Sequence, residues 1–354
     1  MKSCNALRHA PWRATRALRC ASNLPRIVEP HHHYVVTSES FHEPLKRGGV
    51  PEYLPENFVA HSEGLTIDKA IHMECAPADP LAEAQWVEGV ISSRRSPVVA
   101  TVAACNLAAH NARHQLCTLK ERCPSVVGVR YVVDYSGPFG EAPATHVFVS
   151  RHGAGADGRL GSGKGVDFLR DPVHAPRFEA GFEALADMGL TFDLQCAPEQ
   201  LEAAAALLDR HPRVRVVLNH LGKPRLGAEN KAADSAELAA WRAGMTALAA
   251  RPNAYCKLSM LAYAVPGWVA DPAAEALVAG LVRETIDRFG PERCMFSTNW
   301  WSGGAMANSD GRDEVDVSMA ELWSRYHSWV DGVYTEEQMR QLFAGTAEEF
   351  YGLA

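Results

Sequence analysis

No acidic residue precedes Glu29, although Lys2, Arg8, Arg13, Arg16, Arg19 and Arg26 all fall in that stretch. A basic, acid-free start argues against a folded segment and reads as an organelle transit peptide, mitochondrial or plastid, over residues 1–26. On a helical wheel Arg13, Arg16 and Arg19 lie on one side and Ala14, Ala17, Leu18 and Ala21 on the other. A basic tail with no address is the alternative, and it leaves the protein in the cytoplasm. The chain also lacks any run of about 18 uncharged apolar residues, so no membrane span is expected. It lacks a basic stripe interleaved with aromatics. Of 35 basic and 42 acidic residues, six of the basic ones belong to the leader, which leaves 29 against 42 and a net charge of −13 for residues 27–354. Such a body repels phosphate backbones, so a small molecule is the expected partner and nucleic acid is not. None of the nine cysteines forms a C-x-x-C pair, and several sit in apolar runs, which fits a reducing compartment better than a disulfide framework.

What is present is an apolar content of 47% over 354 residues, enough for one large α/β core. Eight short β-branched runs alternate with longer helical patterns: residues 27–36, 69–75, 97–103, 126–133, 190–196, 214–220, 254–259 and 294–299. They are apolar along their length, as strands covered on both faces are. Residues 174–188 place Phe178, Phe182 and Leu185 at helical spacing, and 198–210 opens with Pro and acids and ends basic. Thr346 and Glu349 read as a capping box for the last helix. The pattern predicts a closed (β/α)8 TIM barrel over residues 27–354, with an open doubly wound sheet as the alternative. Long connections follow strand 1 (37–66) and strand 4 (134–173), on the face where such barrels carry their chemistry, and read as lids. Gly153, Gly155 and Gly158 fit G-x-G-x-x-G, but no helical pattern follows. Residues 158–165 fit a P-loop only without its Ser or Thr, so neither stretch cradles a phosphate.

Residues two apart on a strand point the same way, so in "EPHHHY" His31 and His33 share a face and His32 takes the other. His220 ends the sixth run, in "VVLNHLGKP". Three imidazoles at strand ends make a reasonable set for zinc or another divalent cation.

The order of "EPHHHY", "MEC", "GVR", "LRDP", "GFEALADMGLTFDL", "VVLNHLGKP", "CKLS", "RCMFSTNW" and "LFAGTAEEFYGL" resembles the amidohydrolase-related family, and within it the sugar-lactone and 2-pyrone-4,6-dicarboxylate lactonases. The resemblance implies a barrel of the metal-dependent hydrolase type and a site built on His31, His33 and His220, with or without one divalent metal. It also implies that Arg130, in "GVR", polarises a carbonyl. A barrel-interior salt bridge is the other reading of that arginine. Where many relatives have Ser-Asp-Trp after the eighth strand, this chain has Ser297-Thr298-Asn299-Trp300, and an amide is no base. The fifth strand ends without a histidine, offering Asp193 and Gln195. Glu74 and Asp193 are therefore candidate bases. Glu74 could equally hold Lys257 or Arg130, and Asp193 could be a strand-end cap. Trp300 and Trp301 either stack on a substrate ring or plug the barrel top, and Lys257 in "CKLS" joins them as a candidate substrate contact. The implied reaction is water attack on the polarised carbonyl of a small cyclic ester, a sugar lactone or a carboxylated one. Decarboxylation on the same barrel and silent ligand binding are the rivals.

Overall fold

The computed structural model describes residues 24–135, 166–224, 226, 231–265, 267–300 and 317–353. Eight parallel strands run in chain order around one sheet: β1 Ile27–His32, β2 Ile67–Met73, β3 Val98–Ala104, β4 Val126–Val132, β5 Thr191–Gln195, β6 Val216–Leu218, β7 Ala254–Leu258 and β8 Cys294–Phe296. A parallel bridge between His32 and Trp300 joins the first strand to the exit of the last, and His33 N–H donates to the Trp300 carbonyl at 2.5 Å. The sheet thereby meets itself as a (β/α)8 barrel. Each of the eight runs expected from the sequence contains one of these strands, the first ending at His32 and the sixth spanning only Val216–Leu218.

The helices follow the same alternation. After β1 come α1 Glu43–Arg47 and α2 Pro55–His61, then α3 Pro80–Ser93, α4 Ala112–Arg122, α5 Ala175–Met188, α6 Leu201–Arg210, α7 Lys231–Ala249 and α8 Pro272–Phe289. The chain closes with α9 Met319–Val330, α10 Glu336–Arg340 and α11 Thr346–Tyr351. Asp79 starts α3 by accepting from the amides of Leu81 and Ala82, with Pro80 as the first helical residue. In α5, Phe178, Phe182 and Leu185 are all buried against the barrel wall, as their spacing predicts. Two expectations need correction. Pro198–Gln200 is a 3-10 turn ahead of α6, not its first turn. Thr346 is no N-cap: the π-helical turn Gln341–Gly345 already carries the chain into α11, so no amide there is orphaned, and the Thr346 hydroxyl donates to the Pro291 carbonyl at 3.1 Å instead.

The core has two parts. Outward-facing strand residues pack under the helices, while a smaller interior set, among them Val28, Ile71, Ala100, Val217 and Met295, is closed by Ala347, Phe350 and Tyr351 of α11. Arg215, which precedes β6, donates to the Glu349 carbonyl, and Lys69 pairs with Glu348 at 3.0 Å. Helix α11 thus seals the end of the barrel where the strands begin. Arg26, the last residue of the expected leader, pairs with Asp68 at 2.8 Å and Glu348 at 2.5 Å. The rest of that leader through residue 23, most of the connection after β4 with its glycine motifs, and Trp301 lie outside the described residues. The connection after β1 holds α1 and α2 and a 3-10 turn at Ser40–His42.

Candidate active site

A bulge sets the phase of β1. Its register against β2 shifts between Glu29 and His32, at Pro30, which has no amide to give the ladder. Val28 therefore faces the interior floor and His31, three residues on, faces the interior mouth. From there the alternation read from the sequence holds. The His31 ring lies 5.1 Å from that of His33 and 4.7 Å from that of His220, centroid to centroid. His32 faces the opposite way, among Tyr34, Phe58 and His72. His31, His33 and His220 thus form one constellation at the barrel mouth.

Backbone strain gathers at the same end. Among the described residues, positive φ outside glycine occurs at Ala76, His220, Leu221, Lys223, Met260 and Asn299, each just past a strand, and otherwise at Arg94. Such conformations persist only where surrounding contacts over-determine them.

Those contacts can be followed residue by residue. Arg130, near the end of β4, donates from Nε to Glu74 at 2.5 Å and from Nη2 to the Glu74 carbonyl at 2.6 Å, leaving Nη1 3.3 Å from His31 Nε2. Glu74 also accepts from the Ala76 amide. Lys257, on β7, donates to Asp193 at 2.6 Å and to the Pro30 carbonyl at 2.9 Å, with His31 Nδ1 at 3.3 Å. Asp193 sits mid-strand, fully buried, and takes the Tyr351 hydroxyl besides; it is a buried ion-pair partner and not a strand-end cap. Lys223 pairs with Asp134. Trp300 is buried and donates from its indole to His61 at 2.9 Å, which is the plugging arrangement of the two expected.

Burial governs the charge states. It holds the histidines neutral, helped for His31 by Lys257 and for His220 and His33 by Arg130: His31 and His220 fall well below their ordinary pKa and His33 to about 3. A neutral His33 that donates from Nδ1 to the Met73 carbonyl, 2.9 Å away, has a lone pair at Nε2. The Asn299 amide oxygen stands 3.0 Å from that nitrogen, acceptor against acceptor, so the amide is to be turned end for end to present its N–H there. An aspartate in its place would face the lone pair with a second acceptor.

The sequence reading missed three groups. Glu29 is fully buried and accepts from the amides of His31 and Thr298 and the Thr298 hydroxyl, tying β1 to the exit of β8. Burial raises its carboxyl to about 7 against those stabilising bonds. Ser259 lies 3.0 Å from His220 Nδ1, and Tyr351 supports Asp193 from below. An acid inside the apolar run "IVEP" was the available signal for Glu29; the other two carry none.

The ring nitrogens decide whether a divalent cation suits this set. His31 has a guanidinium against one nitrogen and an ammonium against the other, and His33 is bonded at both. A cation on His31 would abut Arg130. As arranged, the three imidazoles do not fit a metal, and among the described residues no group of three or more His, Cys, Asp or Glu side chains is placed to hold one.

Residues 114–353 match the model of the amidohydrolase family. This chain belongs to that family. Among curated relatives, an uncharacterized protein of Sinorhizobium fredii, y4mH, is 24% identical over 92% of this chain and 98% of its own length. An L-fucono-1,5-lactonase of Burkholderia ambifaria is 35% identical over 38% of this chain and 41% of its own length, so the chain matches under half of that enzyme. An amidohydrolase of Burkholderia multivorans, solved with bound zinc, superposes with a TM-score of 0.66 at 22% identity, over 93% of this chain and all of its own. A structure from Pseudomonas putida assigned to the 2-pyrone-4,6-dicarboxylic acid hydrolases reaches 0.63 at 12%, covering 92% and 97%. The 2,6-dihydroxybenzoate decarboxylase of Rhizobium reaches 0.52 at 13%, covering 93% and 99%. At these identities the superpositions speak for the fold alone.

Proposed function

We propose that this amidohydrolase opens a sugar lactone by adding water to its carbonyl. The observation that carries the reading is Arg130: a cation at a strand C-terminus whose Nη1 faces a cluster of neutral imidazoles while Glu74 fixes its other edge. Donors held in place before reaction, where negative charge develops on the carbonyl oxygen, are the largest single source of rate in acyl transfer. Arg130 Nη1 supplies such a donor. Water adds to the acyl carbon and its proton passes to Glu74. The bond from that carbon to the ring oxygen then breaks, and the proton goes to the departing oxygen, giving the hydroxy acid. Both carboxylates have partners, Glu74 in Arg130 and the Ala76 amide and Asp193 in Lys257 and the Tyr351 hydroxyl. Glu74 takes the base role because it lies past the end of β2 at the mouth, while Asp193 is fully buried in mid-strand. Lys257 orients His31. Arg130 supplies the positive charge beside the carbonyl oxygen.

A neutral sugar lactone fits better than a carboxylated one. Among the described residues Arg130, Lys223 and Lys257 are each paired with a carboxylate, Glu74, Asp134 and Asp193 in turn. The similarity to an L-fucono-1,5-lactonase supports the same class.

The test is hydrolysis of a panel of aldonolactones and carboxylated lactones by chelator-treated protein. Sugar-lactone opening is expected, with Glu74→Gln slowing kcat by roughly 10²-fold or more and Asn299→Ala by far less. Full activity in Glu74→Gln and loss in Asp193→Asn would transfer the base to Asp193. Carbon dioxide release in place of lactone opening would move the enzyme to the decarboxylases. Loss on chelation with recovery on adding zinc would overturn the metal-free role of Arg130.

A further inference from the structure

We propose that Glu83, in the first turn of α3, is a positioning residue that aims both halves of this site, through two histidines on one side and directly on the other. Its Oε1 accepts from the Cys75 amide at 2.9 Å and from His42 Nε2 at 3.0 Å, and lies 3.5 Å from His72 Nε2. The inference rests on the hydrolase reading above for its kinetic consequence and on geometry for the rest.

Protons fix the direction of the chain of bonds. The Val36 amide donates to His42 Nδ1 at 2.9 Å, so Nδ1 carries the lone pair and Nε2 the hydrogen that Glu83 accepts. The Tyr34 amide meets His72 Nδ1 at 3.4 Å in the same sense. Tyr34 and Val36 lie one and three residues past His33, and Cys75 directly follows Glu74. One oxygen on α3 therefore sets the backbone that directs His31 and His33 from β1 and the backbone that directs Glu74 onto Arg130 from β2. The bond from His42 and the nearby His72 imidazole outweigh burial and hold the Glu83 carboxyl down to about 2, so it stays an acceptor throughout the neutral range. Without it, the Nε2–H of His42 loses its acceptor and the Val36 amide alone opposes the other tautomer. The alternative would set a ring N–H against the Val36 N–H, and a buried amide would lose its partner.

An apolar residue of similar size would fill the space without ordering the protons, which separates positioning from packing. Glu83→Leu is expected to lower kcat for lactone opening by roughly 10- to 100-fold with KM nearly unchanged. Glu83→Gln, whose carbonyl oxygen can occupy the place of Oε1, is expected to restore most of that rate. Nitrogen-15 spectra of the histidine rings give a second readout that needs no substrate. His42 in the wild-type protein and in Glu83→Gln should be protonated at Nε2 only, and Glu83→Leu should show mixed tautomers. Wild-type His42 protonated at Nδ1, or a Leu variant that keeps full kcat, would overturn the proposal. Equal losses in the Gln and Leu variants would overturn it as well. If the wild-type protein opens no lactone, the hydrolase reading fails and the His42 tautomer alone decides the role of Glu83.

Discussion

The two ends of the barrel use the same eight strands for opposite purposes. Where the strands begin, Val28, Ile71, Val217 and Met295 meet Phe350 and Tyr351 in an apolar floor. Where they end, His31, His33, Glu74, Arg130, His220 and Asn299 are buried polar groups, joined by positive-φ backbone at His220 and Asn299. A polar group held out of water is tolerated only with its partners in place, and each of these contacts orients another. The floor stabilises by excluded water and needs no such orientation. Damage should therefore separate cleanly, with the mouth losing rate and the floor losing stability.

The largest expected effect is at the mouth. Arg130→Met should cut kcat by about 10³-fold, the loss typical of removing a principal oxyanion donor, and steady-state kinetics on a sugar lactone would measure it. A variant within tenfold of wild type would remove Arg130 from the chemistry. At the floor, Phe350→Ala should lower unfolding free energy by about 3–5 kcal/mol in a denaturant titration, while kcat of the folded fraction stays within about twofold. A comparable loss of rate would mean that the two ends are coupled.

The smallest effect sits on the seam between β1 and β8. The Glu29 carboxyl, pushed up to about 7 by burial, binds its proton more tightly in the folded protein than at its ordinary 4.5. Its contribution to stability is complete below pH 4.5 and is lost as pH rises through 7, an amount of about 3 kcal/mol. Glu29→Gln should remove that dependence, so wild type minus variant in unfolding free energy should fall between pH 4.5 and 8. A difference that stays flat would mean that Glu29 titrates near its ordinary value.

The sequence carried the fold well because its signals are local. Each strand falls in a short, largely apolar or β-branched run, and periodicity in α5 marks the face it buries. The three histidines were legible for the same reason, since alternation places His31 with His33 and a strand end places His220. The partners were not. Glu29 meets Thr298, 269 residues away, and Tyr351 meets Asp193 across 158, and no local pattern announces such pairings. The bulge at Pro30 shifted the phase that alternation assumes. The expected cap at Thr346 failed because a capping motif is silent about whether the chain before it is already helical.

Helix α11 bears on how the molecule comes into being. During synthesis, a nascent chain can have all eight strands outside the ribosome while residues 346–353 are still inside it. Until they emerge, Val28, Val217 and Met295 line an open-ended tube, and Asp193 has Lys257 but no Tyr351. The floor is delivered after all eight strands, and pairing distant segments is the slow step in folds of this kind. Emergence of residues 346–353 is then the event that lets the barrel finish.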